Sequence, residues 1–317
     1  MQALDIKNLP TPKTEEWKFT NLPRAIPVNL TPMDGDEVVI HIKRGQICEE
    51  PKDILFTGAS ASLHTPRLKI VLEEGAQLTL VERHEGKGEY WKNMVTEIEI
   101  GANARLHHYR LQNDALESVN TNMAHITMDR DSYYDGFTLT QGAKLSRNEI
   151  HAVLQGPNIE CHFNGINILS GKQHGDTTIV VDHQAPHCQS NQFYRSLLDD
   201  HARGVFQGKV HVHQIAQKTD GYQMSNALLL SPNAEMDTKP ELEIYADDVL
   251  CSHGATTGQL DETPLFYLRS RGLSESEAKL LLMTAFIDEL TAKITDEPFR
   301  FEIERHAHAW LQGALEK

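Results

Sequence analysis

Hydrophobic and polar residues alternate with a period of two in many short runs between about residue 38 and residue 257. The clearest of these runs are 77–80, 96–100, 209–213 and 241–244. Because successive side chains of a β-strand point to opposite faces, this alternation predicts half-buried strands. The run of β-branched and apolar residues at 177–181 indicates a strand that is covered on both faces.

A weak Gly-Ala motif recurs just before or inside strand-like runs, at Gly75, Gly101 and Gly142. The two intervals, 26 and 41 residues, are of the order of one coil of a β-solenoid, with insertions needed to explain their difference. Together with the strand covered on both faces, this repeat predicts a mostly β fold whose core is a stacked β-helix rather than a sandwich.

The two ends of the chain differ from the middle in composition and in hydrophobic period. Residues 1–37 are rich in proline and polar residues, with one helix-prone piece at 14–18, and they predict a small helical or irregular cap. After residue 260 the hydrophobic period becomes helical. The predicted domains are therefore an N-terminal cap at 1–37, a β-helix core at 38–260 and a helical domain at 261–317.

Start and stop signals divide the helical domain into three helices. Thr263 is the predicted N-cap of the first helix, which ends at Gly272, and Ser274 with Glu277 forms a capping box for the second. The third helix is predicted from Pro298 to about residue 313, and its expected buried residues are Phe301, Ile303 and Trp310.

Acidic residues outnumber basic ones, because 45 Asp and Glu oppose 30 Lys and Arg and the formal net charge is −15. Such a charge repels phosphate backbones and anionic lipids, so we expect neither nucleic acid nor a membrane as a partner. No window approaches the roughly 18 consecutive apolar residues of a membrane span, and we expect a cytoplasmic protein. The cysteines form no CxxC pair and are expected to be reduced thiols: Cys48, Cys161, Cys188 and Cys251.

Two groups among the 17 histidines could bind a metal. His211 and His213 lie two apart on a predicted strand, so their rings share one face, but no third ligand is visible in the sequence. His183, His187 and Cys188 form a second group in a predicted loop. Cys161 is expected to be a buried small hydrophobe rather than a ligand.

Cys251 and His253 form a further pair, which we place at the end of the 242–245 strand, after Asp247 and Asp248 and before Gly254. In an extended chain the thiolate and the imidazole emerge on the same side, and both are ligands suited to iron or zinc. One thiolate and one imidazole cannot complete a four-ligand site, so a partner would have to supply the remaining ligands.

The segment KPELEIYADDVLCSHGATTGQL, followed by DETPLFYLRSRGLSESEA, resembles the C-terminal signature of the SufB/SufD family of iron-sulfur cluster assembly proteins. The N-terminal KTEEWKFTNL is similar to a short segment of the same family. Within the family, the CSHGAT sequence with Gly254 is of the SufD type, because SufB chains usually carry an acidic residue in place of the glycine.

This resemblance implies a right-handed parallel β-helix between two helical ends and a scaffold role without catalysis. It implies pairing with a SufB-like paralogue through the β-core and docking of a SufC-like ATPase on the C-terminal helices, where Leu281 and Phe286 are the candidate contacts. His253, with Cys251 as a second ligand, would hold iron or a nascent iron-sulfur cluster transiently, shared with SufB. The chain alone is expected to bind no cofactor stably and could pair with itself.

The sequence carries no GxxxxGK[ST] phosphate loop, so ATP hydrolysis is expected to reside in the partner. Three alternatives stay open at this point. One is a SufB-type paralogue, and another is a metalloenzyme built on His183, His187, His211 and His213. The third, a carbohydrate-active β-helix enzyme using Asp247 and Asp248, is disfavoured because aromatic residues for sugar stacking make up only 7% of the chain.

Overall fold

Two parallel β-sheets coil around a common interior in the computed structural model, which describes residues 3–33 and 35–315. The strands are β1 Thr31–Met33, β2 Glu37–Ile42, β3 Lys52–Gly58, β4 Ser62–His64, β5 Arg67–Leu72, β6 Gln77–Gly86, β7 Tyr90–Ile100, β8 Arg105–Gln112, β9 Val119–Met128, β10 Tyr133–Thr140, β11 Leu145–Leu154, β12 Glu160–Leu169, β13 His174–His183, β14 Gln189–Leu198, β15 Arg203–Val212, β16 Asp220–Leu229, β17 Glu235–Ile244 and β18 Leu250–Gly258.

Successive strands from β6 to β18 alternate between the two sheets. The ten-stranded sheet runs β1-β4-β7-β9-β11-β13-β15-β17, with β2 and β5 beside this path, and the eight-stranded sheet runs β18-β16-β14-β12-β10-β8-β6-β3. All of these strand pairs are parallel, and a coil near the middle takes 29 residues, the separation of the hydrogen-bonded Asn167 and Ser196. The predicted β-helix is therefore confirmed.

The alternating runs lie in strands β6, β7, β15 and β17, as the sequence predicts. Only one of the two intervals between the Gly-Ala motifs corresponds to a coil of the β-helix. Gly75 and Gly101 precede β6 and β8, which are neighbours in the eight-stranded sheet, whereas Gly142 precedes β11 in the other sheet. The interval of 41 residues therefore crosses from one sheet to the other and is not a coil length.

The interior of the middle coils contains apolar layers and one layer of buried charges. Lys92 Nζ lies 2.8 Å from Asp114 Oδ1, which also accepts a 2.6 Å hydrogen bond from the Tyr90 hydroxyl. Glu82, also fully buried, accepts hydrogen bonds from His108 Nε2 at 2.8 Å and from Arg110 Nε at 3.1 Å. Each charge in this layer faces an opposite charge, as burial requires.

The N-terminal segment packs on the outer face of the ten-stranded sheet. A 3-10 helix at Glu15–Trp17 and the short helix α1 at Leu22–Ala25 precede β1. The Trp17 ring lies against the Arg147 guanidinium, 4.0 Å from ring centroid to Cζ, which explains how a short segment without its own core is held.

Three helices follow β18: α2 Glu262–Ser270, α3 Glu275–Thr291 and α4 Glu297–Leu315. Helices α3 and α4 cover the outer face of the eight-stranded sheet. There the Phe299 ring stacks on Tyr109 at 5.5 Å, and Arg83 forms a two-point ion pair with Glu302. None of the described helices is long and apolar enough to span a membrane.

Two details of the helical prediction are wrong. The N-cap of α2 is Asp261, whose carboxylate accepts a 2.8 Å hydrogen bond from the Thr263 N–H, and not Thr263 itself. Phe301 is 61% exposed, because the buried stripe of α4 runs along residues 299, 303, 307 and 311 and residue 301 lies on the opposite face. The capping box of Ser274 and Glu277 is confirmed.

The domain boundaries at 37/38 and 260/261 stay predictions, and residues 1–2, 34 and 316–317 of these segments lie outside the described residues. Strand β1, which falls within the predicted cap, already pairs with β4 of the β-helix.

Candidate functional site

The last coil of the β-helix is open. Strand β18 pairs with β16 along one edge and β17 pairs with β15, and no further described strand continues either sheet. Backbone groups along the free edges therefore lack strand partners. Large apolar side chains are exposed beside these edges, among them Ile244, Tyr245 and Leu250, and the last of these is 75% exposed.

Cys251 and His253 lie on β18, in register with Gly221 and Gln223 of β16. Residues paired in register on parallel strands share a face, so both side chains point to the interior side of the open coil. The sequence prediction attached the pair to the end of the 242–245 strand. That placement is wrong, because the chain turns at residues 247–248 and the pair occupies a strand of its own.

The Cys251 thiol is half-buried above a glycine. A Cβ at Gly221 would lie only 3.3 Å from the Cys251 sulfur and 3.2 Å from Val210, so the glycine makes room for the thiol. Burial raises the pKa of Cys251, although a hydrogen bond with the Gly221 backbone acts in the opposite direction. The free thiol is therefore protonated at neutral pH, and a metal must displace its proton to bind.

His253 is exposed, whereas Gln223, its partner in register on β16, is buried. The Gln223 carboxamide is buried and has no hydrogen-bond partner among the described residues, and the same holds for Gln192, its partner on β14. Both carboxamides extend across the interior toward Gly208, where a Cβ would lie 2.7 Å from Gln192 Oε1 and 3.0 Å from Gln223 Nε2. Sequence reasoning missed these two glutamines, because only a coil register shows that they lie beside His253.

Gly254 lies in the middle of β18 and faces outward. A Cβ at this position would lie 2.8 Å from the Met224 methyl group, so a larger residue would have to displace the methionine side chain. This contact gives a physical reason for a glycine in the CSHGAT sequence, where the neighbouring strand presents Met224.

Cys251 and His253 bring two ligand atoms of different chemistry to one face. Among residues 3–33 and 35–315, the single cluster of three or more His, Cys, Asp or Glu ligand atoms lies elsewhere. A tetrahedral iron or zinc site needs four ligands, so this pair can supply half of one.

The second predicted metal group does not converge. His183 is fully buried, with Nε2 2.9 Å from the Ser190 hydroxyl, and burial lowers its pKa to about 4. His187 lies exposed in the following turn, whereas the Cys188 thiol is buried and donates to the Gly156 carbonyl at 3.3 Å. A metalloenzyme site that combines His183 with His211 and His213 is therefore wrong, because these side chains point to opposite faces of the sheet.

His211 and His213 do share a face, the outer face of the ten-stranded sheet, as predicted from their spacing. The structure adds a third ligand that the sequence did not reveal, Asp182 of the adjacent strand β13. Cys161 is fully buried, and burial raises the pKa of its thiol, so the prediction of a buried small hydrophobe is confirmed.

The two predicted docking residues on α3 differ in their surroundings. Leu281 is 49% exposed. Phe286 is partly buried against the β-helix, and the Arg195 guanidinium lies 5.0 Å from its ring centroid. A contact role for either residue stays a prediction, but Leu281 is the more exposed of the two side chains.

Comparison with known proteins gives a consistent result. The family model described as SUF system FeS cluster assembly, SufBD core domain, matches residues 55–286. A SufBD family iron-sulfur cluster assembly protein of Synechocystis is 37% identical over 274 residues, which are 82% of this chain and 60% of that protein.

Two further relatives agree. The iron-sulfur cluster assembly protein SufD of Escherichia coli is 33% identical over 83% of this chain and 64% of its own length. The chloroplastic protein ABCI7 of Arabidopsis thaliana is 32% identical over 87% of this chain and 61% of its own length. The chain thus spans about three fifths of the length of these relatives. On the extent of the family match and on these identities, the chain belongs to the SufBD family of iron-sulfur cluster assembly proteins and is similar to SufD.

Proposed function

We propose that this chain is a non-catalytic, SufD-type subunit that pairs with a SufB-like paralogue and contributes Cys251 and His253 to a shared site for iron or a nascent cluster. In this proposal the metal or cluster is cargo, and it is bound only while both chains are together. A thiolate binds iron firmly, whereas an imidazole binds ferrous iron less tightly, so the product can leave.

The observation that carries this proposal is the position of an incomplete ligand pair on an unpaired edge strand. Strand β18 exposes its backbone edge and its apolar residue Leu250. A second β-helix that added its own edge strands there would pair the free backbone groups and cover these apolar side chains. The same step would bring the partner's ligands next to Cys251 and His253.

A SufC-like ATPase would dock on the C-terminal helices. In addition to Leu281 on α3, the large side chains of Phe266 and Tyr267 on α2 are exposed. Exposed apolar side chains of this size are typical of a surface that binds another protein. Leu281→Asp is the variant that tests this docking with the smaller change in the helix's own packing, because Leu281 is 49% exposed whereas the Phe286 ring is partly buried.

Three further expectations belong to the proposal. The isolated chain binds no cluster stably, it can pair with a second copy of itself when SufB is absent, and its location is cytoplasmic. The free edges of β17 and β18 give a self-pairing chain the same surface that the SufB-like partner would use.

Co-expression of the chain with its SufB-like and SufC-like partners tests the proposal. With His253→Ala, we expect the three-subunit complex to assemble but to contain little iron and sulfide, because one ligand of the shared site is missing. Ser252→Ala is the matched control, since Ser252 is exposed on the opposite face of the same strand. Full cluster content in the His253→Ala complex would contradict the assignment of that residue.

A further inference from the structure

Asp182, His211 and His213 meet on the outer face of the ten-stranded sheet. Asp182 Oδ1 lies 2.8 Å from His211 Nδ1 and 2.9 Å from His213 Nε2, and the three ligand atoms lie within 4.8 Å of one another. His211 lies on β15 and His213 directly follows that strand, whereas Asp182 lies on β13, one coil earlier. All three side chains are partly exposed, so an ion can reach them from solvent.

Neighbouring side chains hold these three groups in orientation. Gln184 Nε2 donates a 2.7 Å hydrogen bond to Asp182 Oδ2, so the other carboxylate oxygen is left to face both imidazoles. The Tyr245 ring meets His211 edge-on, with ring centroids 5.7 Å apart. The nearby acid Glu243 already pairs with Lys209 and accepts a hydrogen bond from the Tyr245 hydroxyl, so it does not compete for the imidazoles.

We propose that Asp182, His211 and His213 form a binding site for one divalent first-row transition metal ion. Two imidazoles and one carboxylate on one side of an ion, with positions open to solvent on the other, are typical of Fe²⁺ and Zn²⁺ sites. Metal–ligand bonds of about 2.0–2.1 Å at tetrahedral angles place ligand atoms about 3.3 Å apart. The nitrogens therefore need to move only about half an ångström from Asp182 Oδ1 when the ion replaces the shared hydrogen bonds.

This site is distinct from the Cys251 and His253 pair. Asp182 and His211 point outward from the ten-stranded sheet, whereas Cys251 faces the interior from the eight-stranded sheet. The choice of Fe²⁺ as the occupant rests on the proposed function, because a protein that assembles iron-sulfur clusters handles ferrous iron. The existence of a metal site does not rest on it, since the ligand geometry stands by itself.

The test uses the full chain carrying Cys251→Ser and His253→Ala, so that the proposed shared site cannot contribute. This parent is titrated anaerobically with Fe²⁺ by calorimetry and with Co²⁺, whose visible absorption reports its ligands. We expect one bound equivalent, and binding at least about 100-fold weaker when His211→Ala and His213→Ala are added. Gln184→Ala should weaken binding about tenfold, because it removes only the residue that orients the aspartate.

His162→Ala is the matched control, because His162 lies on an outer strand face and contacts a single carboxylate, Glu160, at 2.8 Å. It should leave the bound equivalent unchanged. If the double histidine variant fails to fold, Asp182→Asn removes the carboxylate charge at nearly constant volume and should give the same loss. The proposal is overturned if the parent binds neither ion up to about 1 mM, or if all variants bind equally.

Discussion

The middle coils and the last coil of this β-helix are built from the same kind of strand but differ in how their interiors are completed. Around β7 and β8 the buried charges are paired, as Lys92 with Asp114 and Glu82 with Arg110. At β16, Gln223 has no partner among the described residues, and most residues of the neighbouring strand β18 are exposed. The middle coils therefore satisfy their buried charges within the chain, whereas the last coil leaves open strand edges that the proposed partner would cover.

The physical reason lies in the cost of burying polar groups. A charge inside the middle coils is tolerated because strands on both sides exclude water and supply opposite charges at hydrogen-bond distance. The last coil has strands on one side only, so most side chains of β18 stay accessible and its backbone edge stays open. Substitutions of Lys92, His183 and Gln223 test this contrast.

Lys92→Met should destabilise the chain most. It leaves Asp114 buried without its cation, and the expected loss is about 3–5 kcal/mol in the free energy of unfolding. Urea denaturation of the isolated chain measures it. Lys69→Met is the matched control, because Lys69 forms an exposed ion pair with Glu99 at 2.9 Å, and such pairs contribute about 0–1 kcal/mol. Equal losses in the two variants would refute the contrast.

His183→Gln should change how stability depends on pH. The pKa of His183 is about 4 in the folded chain because the ring is buried, against 6.5 for an ordinary histidine. The unfolded chain therefore binds a proton that the folded chain does not, and the free energy of unfolding falls as pH falls from 6.5 to 4. This histidine accounts for about 3 kcal/mol of that fall.

The measurement compares urea unfolding of wild type and His183→Gln at pH 7.5 and pH 4.5. The variant should lose less stability on acidification than wild type does. His253→Gln, which removes an exposed imidazole from the open coil, is the matched control. A variant with the full wild-type loss would show that burial of His183 does not govern acid sensitivity.

Gln223→Leu should have the smallest effect on stability and the opposite sign. A buried carboxamide without a hydrogen-bond partner costs about 1–3 kcal/mol, so an apolar replacement should stabilise the isolated chain by about 1 kcal/mol. Gln207→Leu should instead destabilise it by about 1 kcal/mol, because Gln207 Nε2 donates to Thr178 Oγ1 and to the Glu16 carbonyl, both at 3.1 Å. Loss of stability in both variants would mean that Gln223 is satisfied in the isolated chain.

The sequence predicted the architecture well because alternation, capping and β-branched runs are local signals. The strands at 77–80 and 241–244 and the Ser274 capping box depend only on neighbouring residues. Phe301 was misassigned although the signal was present, since residues 299, 303, 307 and 311 repeat every fourth position and leave residue 301 outside the stripe.

The residues of the two candidate metal sites could be predicted only in part, because the coil register decides which residues of successive coils are neighbours. Spacing and the family resemblance together predict Cys251 and His253 as ligands, but Asp182 lies 29 residues before His211 and joins it only through pairing of β13 with β15. Gln223 likewise adjoins His253 through pairing of β16 with β18. A coil length of about 29 residues, read from aligned strands in one sheet, would have revealed both. The Gly-Ala intervals could not, because one of them joins different sheets.

The central claim is that Cys251 and His253 are half of a site, and iron binding by the chain with and without its SufB-like partner tests it most directly. The chain should carry His211→Ala and His213→Ala, so that iron at the outer face does not interfere, and it should be titrated anaerobically with Fe²⁺. The account predicts no tight binding by the chain alone, and a tightly bound equivalent in the pair that disappears with His253→Ala. Tight binding by the isolated chain, or a tight equivalent that survives His253→Ala in the pair, would contradict it.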